Sequence, residues 1–416
     1  MLKDRKQFIA GAIGNVLEWF DFAAYGFFAS TIGQQFFPIE DKTLSLLAAF
    51  GVFASGFMAR PLGAVFFGSL GDRKGREVVL RWSVILMGLS TFALGVLPNY
   101  QAIGLAAPVL LTLLRMLQGF SVGGEFTGSI IYLVENAPPG RRGAIGVWAF
   151  VGGVLGMLGG SYVGALINDA LTPEQLASWG WRLPFLGGIS VMAVCLYFRR
   201  NLTGNEPESH TGRPPTWMAI KTDWRVMLKI MGMFLLGSAG FYMMFIYITT
   251  YTHEELGMPE GVSLKINSLA MLALVIFSIG WGWISDRVGR KPVLLFSSLG
   301  CLLFSYPLFL LIQHTTQLYV FLGQLGFALL IGATLGASTA VMVENTKATF
   351  RCSSVSMAYN LTMAIFGGTT PMVATWLIGE SGNPLEPTFY LMGLAAVSTV
   401  AICFLPETHR LELDAA

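Results

Sequence analysis

The stretches 68-GSLGDRKGRE-77 and 282-GWISDRVGRK-291 decide the fold, because they are two copies of the pattern G-x-x-x-D-R-x-G-R. A second pair of stretches, 134-VENAPPGRRG-143 and 343-VENTKATFRC-352, follows the first pair in the same order. One such match arises by chance, whereas two in register indicate that a unit of about half the chain has been duplicated. The chain is therefore predicted to contain two halves of similar fold.

The composition predicts a chain that is solvated by lipid. Of the 416 residues, 54% are hydrophobic and 12% are charged, and the mean hydropathy is +0.63. Too few polar residues are present to cover the surface of a water-soluble globule of this length. The net charge of +2 is spread over short loops, so no nucleic-acid partner is expected.

No metal site and no cofactor are predicted. The four cysteines have no paired spacing, and the four histidines fall in loops or in the tail. Cysteines in this pattern are typical of small buried apolar side chains, and not of a disulfide framework or a metal site.

A helix that spans a bilayer needs about 20 predominantly apolar residues. The basic start MLKDRKQF resembles that of a signal peptide, but the apolar run behind it lacks a cleavage site and contains two acids, so it is predicted to be a retained span. In total the sequence predicts twelve spans, at about residues 8–29, 44–68, 79–97, 105–133, 144–167, 181–198, 226–250, 265–284, 293–312, 318–343, 353–378 and 388–405.

The predicted fold class is an all-α integral membrane protein with twelve transmembrane helices in two pseudo-symmetric six-helix bundles. The polar segment 199–225 divides the N-terminal bundle (1–198) from the C-terminal bundle with its short tail (226–416). Lys and Arg concentrate before span 1, after spans 2, 4, 8 and 10, and in that segment, so both termini are predicted to be cytoplasmic. A parallel duplication of this kind places a binding site between the halves, near the bilayer midplane.

A family resemblance rests on the two D-R-x-G-R loops and on four further motifs: 14-GNVLEWFDFAAYGFF-28, 60-RPLGAVFFG-68, 115-RMLQGFSVGGEFTG-128 and 179-WGWRLPF-185. Together they resemble the metabolite:proton symporter family of the major facilitator superfamily. That family includes transporters of proline and betaine, citrate, 2-oxoglutarate and shikimate. The resemblance implies the twelve-helix fold and proton-driven transport by alternating access.

Five ionisable residues lie inside predicted spans of the first half: Glu18, Asp21, Arg60, Arg115 and Glu125. Each costs at least ~2.5–3.5 kcal/mol to insert into a bilayer, so each needs a partner or a water-filled cavity. The second half has no comparable charge well inside a span. We therefore expect charge chemistry in the first half and recognition of shape in the second.

Depth along the spans, at about 1.5 Å per residue, suggests how these charges pair. Asp21 is level with Arg115, and Arg60 is level with Glu125, which predicts an intramembrane ion pair between Arg60 and Glu125. Glu18 remains without a level cation. A surplus acid in a low-dielectric site takes up a proton readily, so Glu18, Asp21 and Glu125 are candidates for proton coupling. The alternative is that these acids only anchor neighbouring spans.

Candidate substrate ligands come from both halves. Arg115 could hold a carboxylate with its planar guanidinium, and a permanent partnership with Asp21 is the alternative. Three tyrosines of span 7 could share one broad face, which would suit a quaternary ammonium or line a path for an organic acid, with plain packing as the alternative. The neutral candidates are Asn15, Trp19, Tyr25, Gln118, Tyr242, Tyr247, Tyr251, Gln324, Tyr359 and Asn360.

The resemblance also implies a role for the repeated loops. In the family, the Asp of the D-R-x-G-R loop pairs with positive groups and with the N-terminus of a neighbouring helix, and so holds the cytoplasmic gate shut. The alternative is that the basic residues only set the topology. The matching positions predict a gate in two copies, formed by Asp72, Arg73, Arg76, Glu135 and Arg142 and by Asp286, Arg287, Arg290, Glu344 and Arg351.

These observations predict a secondary transporter of the bacterial inner membrane. We expect proton-coupled symport of a small carboxylate-bearing metabolite such as an organic acid, with a zwitterionic osmolyte (proline or glycine betaine) as the alternative. A non-transporting membrane sensor is a third hypothesis, but it would need an output domain. The sequence contains no nucleophile–base constellation or nucleotide loop, so an enzyme is not expected. The expected partners are the solute, protons and the lipid bilayer, and the chain is expected to act as a monomer.

Overall fold

The computed structural model describes residues 15–16, 18–74, 76–199, 216–314 and 316–413, and every regular element in these ranges is helical. In chain order the α-helices are α1 (18–27), α2 (Ala29–Phe36), α3 (Lys42–Lys74), α4 (Arg76–Val96), α5 (Tyr100–Ile103), α6 (Ala106–Val122), α7 (Glu125–Glu135), α8 (Arg142–Gly146), α9 (Trp148–Ala170), α10 (Pro173–Ser178), α11 (Leu183–Arg199), α12 (Thr216–Tyr242), α13 (Ile248–Glu254), α14 (Glu260–Val288), α15 (Arg290–Gln313), α16 (Gln317–Glu344), α17 (Arg351–Thr362), α18 (Thr370–Ser381) and α19 (Glu386–Cys403). Segments of other helix types are Gly180–Arg182 (3-10), Met243–Tyr247 and Met363–Gly367 (both π).

The predicted spans coincide with these helices. In the described part of the chain, nine helical segments are long and apolar enough to cross a membrane. The other three spans correspond to α1 with α2, to α4, whose apolar part is Arg81–Val96, and to α11. Residues 8–14 of the first predicted span lie outside the described residues.

The boundary between the predicted bundles falls between α11 and α12. Helix α12 begins at Thr216, earlier than the start at residue 226 that hydropathy predicts. The stretch 217-WMAIKTDWR-225 contains no Gly or Pro, so nothing in it interrupts the helix. The last part of the segment 199–225 is therefore helical, and the division into two bundles at these residues stays a prediction.

Spans 4, 7 and 11 each contain an interruption part-way along. Span 4 breaks between α6 and α7 at Gly123–Gly124, where a Cβ on Gly123 would collide with the backbone of Arg60. Spans 7 and 11 contain the π turns Met243–Tyr247 and Met363–Gly367. A π turn adds a residue to the helix and so changes the direction of the side chains beyond it.

Glycines bring helices of the first half into backbone contact. Helix α3 crosses α6 where Gly56 faces Gly119, and a Cβ on Gly119 would overlap the carbonyl of Gly56. Helix α9 approaches α1 in the same way, because a Cβ on Gly156 would overlap the backbone of Val16. Small residues allow such close approach between membrane helices. These crossings place α1, α3 and α6, which carry the buried charges, next to one another.

The first half (15–199) and the second half (216–413) contact each other along α9 and α14. Ser161 donates a hydrogen bond to the carbonyl of Leu264 (2.9 Å) and accepts one from Ser268 (3.0 Å). Helix α14 is about 44 Å long at 1.5 Å per residue, so it reaches both ends of the interface.

Candidate functional site

A small cavity lies between the two halves. Half of its lining residues are aromatic, and each of these aromatic side chains is 6% exposed or less. The lining residues of this aromatic cavity are Trp19, Phe150, Gly153, Val154, Phe234, Gly237, Ser238, Phe241, Tyr242, Leu335, Tyr359 and Met363. They come from spans 1 and 5 of the first half and from spans 7, 10 and 11 of the second, where the duplication predicts a site.

The rings of the aromatic cavity carry polar groups that lack a partner. Trp19 stacks on Tyr242 with ring centroids 6.4 Å apart, and Tyr359 lies 5.4 Å from Phe234. Within the described residues, no hydrogen-bond partner is found for the indole N–H of Trp19 or for the hydroxyl groups of Tyr242 and Tyr359. An unpaired buried donor is costly, so these three groups are candidates for hydrogen bonds to a ligand or to water.

Glu18 forms a buried ion pair with Arg60 of α3. The guanidinium of Arg60 also lies over the rings of Phe22 (4.9 Å) and Phe57 (4.8 Å), and these cation–π contacts help to stabilise a charge away from water. The predicted pairing of Arg60 with Glu125 is thus corrected, because Arg60 is engaged by Glu18. Helical rise gives the depth of a side chain but not the direction in which it points.

The second buried ion pair joins Arg115 of α6 to Asp21 (Nη1 to Oδ2, 3.3 Å), as their depths predict. The same nitrogen donates to the side chain of Gln118 (2.9 Å), and the guanidinium lies 4.4 Å from the ring centre of Tyr25. Arg115 is fully buried and does not line the aromatic cavity. Its contact with substrate stays a prediction.

Both acids use only one carboxylate oxygen for their arginine. Oε2 of Glu18 and Oδ1 of Asp21 have no hydrogen-bond partner among the described residues, although these residues are only 2% and 3% exposed. Glu125, at the start of α7, accepts a hydrogen bond from the hydroxyl of Ser83 (3.1 Å). A carboxylate oxygen in such an interior needs a proton, a water molecule or another donor.

Of the three predicted tyrosines of span 7, Tyr242 lines the aromatic cavity, and Tyr247 and Tyr251 do not. Tyr242 and Tyr247 both pack on phenylalanines of α3 (ring centroids 5.9 Å from Phe53 and from Phe50), and Tyr247 lies 6.3 Å from Tyr251. The three rings therefore form a continuous row, of which one end reaches the cavity.

Of the remaining neutral candidates, Trp19 and Tyr359 line the aromatic cavity and the others do not. Gln324 is buried, and its Oε1 has no partner within the described chain. The contacts of the rest are Asn15 with Ser129 (3.1 Å), Tyr25 with the carbonyl of Ala49 (3.1 Å), Gln118 with Arg115 and Thr91 (both 2.9 Å), and Asn360 with the carbonyl of Gly123 (2.7 Å).

The phenyl rings of the cavity wall are absent from the sequence-based prediction. Phe234, Ser238, Phe241 and Tyr242 are spaced as one face of α12, so the sequence does contain a signal for this wall. In an apolar span the same spacing is typical of ordinary packing. The spacing therefore does not distinguish a cavity wall from a packed helix face.

One end of the interface is here called the arginine face, because it contains Arg142, Arg290 and Arg351. Asp286 of α14 accepts hydrogen bonds from the backbone N–H groups of Gly143 and Ala144 (both 2.8 Å), which belong to α8 of the first half. Asp286 also pairs with Arg290 of its own half (2.7 Å). This contact between the halves is the one that the resemblance implies for the Asp of the repeated loop.

Two glutamates extend the network of the arginine face. Glu344 at the end of α16 pairs with Arg290 (3.0 Å) and with Arg142 of the first half (3.5 Å). Glu135 at the end of α7 pairs with Arg351 of the second half (2.6 Å). The loop 134–143 of the first half therefore meets the loops 282–291 and 343–352 of the second half, and their action as a gate stays a prediction.

Of the other predicted gate residues, Arg287 is the one whose side chain the structure describes, and it lies outside this network. The guanidinium of Arg287 lies 3.3 Å from the ring centre of Trp283 on its own helix. The side chains of Asp72, Arg73 and Arg76 lie outside the described residues.

The segment after α19 also lies across the arginine face. Glu407 accepts hydrogen bonds from the backbone N–H groups of Arg290 (2.8 Å) and Lys291 (2.9 Å), at the start of α15. The carbonyl of Leu411 accepts one from Arg142 of the first half (2.7 Å). The C-terminal tail therefore bridges the two halves.

The opposite face, the end of the interface at Ser30 and Glu254, is closed as well. Ser30 donates a hydrogen bond to Glu254 (2.5 Å), and Lys265 pairs with Asp169 (2.7 Å). The side chains of Lys265 and Asp169 are about half exposed (54% and 51%). Contacts between the halves on both faces enclose the aromatic cavity.

Comparison with known proteins identifies the family. The sequence model of the Major Facilitator Superfamily matches residues 11–348 and 262–414. The chain belongs to the major facilitator superfamily. It is accordingly a multi-pass membrane transporter of small molecules and not an enzyme.

Individual relatives within the superfamily are similar over nearly the whole chain. The chain is 35% identical to the "Glycine betaine/proline/ectoine/pipecolic acid transporter OusA" of Dickeya dadantii (strain 3937), over 99% of this chain and 85% of that protein. It is 33% identical to the "Proline/betaine transporter" of Salmonella typhimurium, over 100% and 86%. It is 34% identical to the "Putative proline/betaine transporter" of Staphylococcus aureus (strain COL), over 97% and 88%.

Solved structures confirm the predicted fold class of the superfamily. The proton:xylose symporter XylE bound to 6-bromo-6-deoxy-D-glucose matches with a TM-score of 0.78 at 16% identity, over 98% of this chain and 97% of that one. The inward open conformation of XylE from E. coli matches with a TM-score of 0.73, over 98% and 97%.

Proposed function

We propose that this member of the superfamily is a proton-coupled symporter that takes up a zwitterionic solute with one carboxylate and one positively charged nitrogen, such as glycine betaine or proline. The proposal narrows the predicted class of carboxylate-bearing metabolites from organic acids to zwitterions. It places the protein in the bacterial inner membrane as a monomer, with both termini and the arginine face in the cytoplasm.

The observation that carries the proposal is the chemistry of the aromatic cavity. Ring faces attract a cation and require no N–H donor from it, so they suit a nitrogen that is substituted with methyl groups or ring carbons. The free groups of Trp19, Tyr242 and Tyr359 can each donate a hydrogen bond, which suits a carboxylate. No charged side chain is among the described lining residues, so a solute without net charge fits better than citrate or another polyanion.

The named substrates of the relatives support this solute class. The three relatives described above are named as transporters or putative transporters of proline or betaine, and OusA also of ectoine and pipecolic acid. These solutes share a carboxylate close to a positively charged nitrogen in a compact frame.

Proton coupling is assigned to Glu18 and Asp21, and Glu18 is connected to the aromatic cavity through Arg60. Glu18 adjoins Trp19 in the chain, and the guanidinium of Arg60 lies 5.7 Å from the ring centre of Trp19. Protonation of Glu18 removes the charge that holds Arg60, which can then attract the carboxylate of the solute. Proton and solute therefore each favour the binding of the other.

Uptake into proteoliposomes tests the proposal. Labelled glycine betaine or proline should accumulate when the interior is made alkaline, and unlabelled citrate, 2-oxoglutarate and shikimate should not compete. Accumulation that does not depend on the pH gradient would contradict the proton coupling. Competition by citrate in the absence of competition by betaine would contradict the solute class.

Substitution of Trp19 tests the aromatic cavity as the site. Trp19→Leu should weaken the apparent affinity for glycine betaine about tenfold or more, because a desolvated cation–π contact contributes up to ~2 kcal/mol. Trp19→Phe keeps a ring and loses only the N–H, so its effect should be smaller. Trp181→Phe is the matched control, since Trp181 is buried against Phe36 away from the cavity. Wild-type affinity in Trp19→Leu would exclude the cavity.

A further inference from the structure

A second cavity lies within the first half, between α1, α4, α11 and the α6–α7 break. The described residues that line it include none from the second half and none that line the aromatic cavity. Helix α1 therefore separates two cavities: its Trp19 lines the aromatic cavity, and its Glu18 and Asp21 line the second cavity. The polar lining of this polar cavity consists of Glu18, Asp21, Ser83, Thr91 and Glu125.

The free carboxylate oxygens belong to residues of this polar cavity. Glu18 gives one oxygen to Arg60 and Asp21 gives one to Arg115, and neither arginine lines the polar cavity. The other oxygen of each acid has no partner in the described chain, although both side chains are more than nine-tenths buried. Two buried acceptors at one cavity indicate that something with a proton to donate occupies it.

Water is the occupant that the lining chemistry fits. A buried water needs two to four polar partners, and the polar cavity offers such partners and has room for a few water molecules. Besides the two free oxygens, the cavity contains the hydroxyl of Ser83, which bonds to Glu125 (3.1 Å), and that of Thr91. Half of the residues that line the aromatic cavity, by contrast, are aromatic.

We propose that the polar cavity is a hydrated compartment through which protons reach and leave Glu18 and Asp21, separate from the path of the solute. A hydronium ion in the cavity transfers its proton to a free carboxylate oxygen, which leaves a water molecule and a neutral acid, and release is the reverse. The ligands of this site are the proton and water. The inference rests on the proposed proton coupling and adds the route of the proton.

The connection between the two cavities is then made by protein groups and not by shared solvent. Arg60 contacts Glu18 of the polar cavity on one side and lies over the ring of Trp19, a wall of the aromatic cavity, on the other. A change of charge on Glu18 is therefore transmitted to the solute through the position of Arg60. Blocking the polar cavity should disconnect the proton from a solute site that remains intact.

Cavity-filling variants test this separation. Val84→Phe and Met192→Phe add bulk to two walls of the polar cavity, on α4 and α11. The matched controls Leu89→Phe and Ile189→Phe add the same ring on the same two helices at positions that are 49% and 40% exposed. Two rates are measured in proteoliposomes with labelled glycine betaine: exchange at equal solute inside and outside, and accumulation driven by an alkaline interior.

The expected result is a split between the two rates. At saturating solute, which offsets the weaker binding expected while Glu18 stays charged, both cavity variants should exchange solute within about twofold of wild type. They should lose accumulation by about tenfold or more, because water and its proton no longer reach the acids. Both controls should keep both rates. Proton entry on addition of solute, followed with a trapped pH dye, should fall with accumulation.

Three outcomes would overturn the inference. The first is normal accumulation in both cavity variants. The second is loss of exchange together with accumulation in both, which would make the cavity walls part of the general transport machinery. The third is accumulation by wild type that follows a sodium gradient and not a pH gradient. If wild type shows no gradient-driven accumulation of any kind, the result contradicts the proposed function itself. The exchange assay then shows whether the protein transports glycine betaine at all.

Discussion

Glu18 and Asp21 share one arrangement, in which a buried carboxylate gives one oxygen to an arginine that lies on aromatic rings. The ring of Phe22 lies between the two arginines, 4.9 Å from Arg60 and 4.4 Å from Arg115. Desolvation makes a buried ion pair a weak source of stability, and contacts with ring faces offset part of that cost. An acid held through one oxygen keeps the other available, so a proton can bind without a change in packing.

The clearest residue-level prediction concerns Glu18→Gln, which keeps the shape of the side chain and fixes it in a neutral state. Accumulation of glycine betaine under a pH gradient should fall about tenfold or more, since a shift of ~1.4 kcal/mol in coupling is tenfold. Exchange without a gradient should continue, because it needs solute binding and not a proton cycle. Glu380→Gln, an exposed acid near the end of α18, is the control. Accumulation that survives in a Glu18→Gln/Asp21→Asn double variant would contradict the role of both acids.

At the scale of elements, the sequence predicts the positions of the helices, because these depend on composition along the chain. It does not predict which way a side chain points around its helix. The spans follow from apolar length, and the contact of Asp286 with α8 follows from the family resemblance of the repeated loop. The pairing of Arg60 could not be predicted, because the depth of a side chain does not give its direction around the helix. The π turns of spans 7 and 11 could not be predicted either, since no residue pattern marks them. The phenylalanines of the aromatic cavity have the same spacing in the sequence as residues that only pack, so the sequence does not single them out.

The C-terminal tail gives an element-level prediction of pH dependence. Burial raises the pKa of Glu407, but hydrogen bonds from the backbone N–H groups of Arg290, Lys291 and His409 and from the His409 side chain together lower it more. Its pKa therefore lies below the ordinary value of 4.5. A lowered pKa in the folded protein means that the charged form stabilises the docked tail above pH 4.5, and that this contribution is lost as the pH falls through the folded pKa. Glu407→Gln should lower the Tm by about 2 °C at pH 7.

The difference in Tm between wild type and Glu407→Gln should shrink as the pH falls below 4.5, where wild type also becomes neutral at this position. Glu412→Gln, at an exposed position of the same tail, should leave the Tm unchanged at every pH. A difference that stays constant down to low pH, or that Glu412→Gln reproduces, would show that the carboxylate of Glu407 does not stabilise the tail.

At the scale of the whole molecule, the two closed faces differ in kind. At the arginine face, Arg290 and Glu344 are almost completely buried (2% and 1% exposed), and the tail adds backbone hydrogen bonds. At the opposite face, the pair of Lys265 and Asp169 is half exposed to solvent. Exposed pairs contribute little, whereas separating a buried pair leaves uncompensated charges. The opposite face should therefore open at the lower cost, which gives a solute arriving from that side first access to the aromatic cavity.

A cross-link across the opposite face tests this sequence of openings. In a background with the native cysteines replaced by serine, Ser30→Cys and Glu254→Cys lie where the two side chains now share a hydrogen bond (2.5 Å) between the halves. A short bismaleimide across this pair should reduce uptake of glycine betaine to background, because the aromatic cavity then cannot reach the outer solution. The control pair, Gln35→Cys with Ala177→Cys, lies at a contact within the first half (3.0 Å) and should tolerate the same cross-link. Undiminished uptake after complete cross-linking at Ser30 and Glu254 would mean that the halves do not separate at this face during transport, and the solute would then need another entrance.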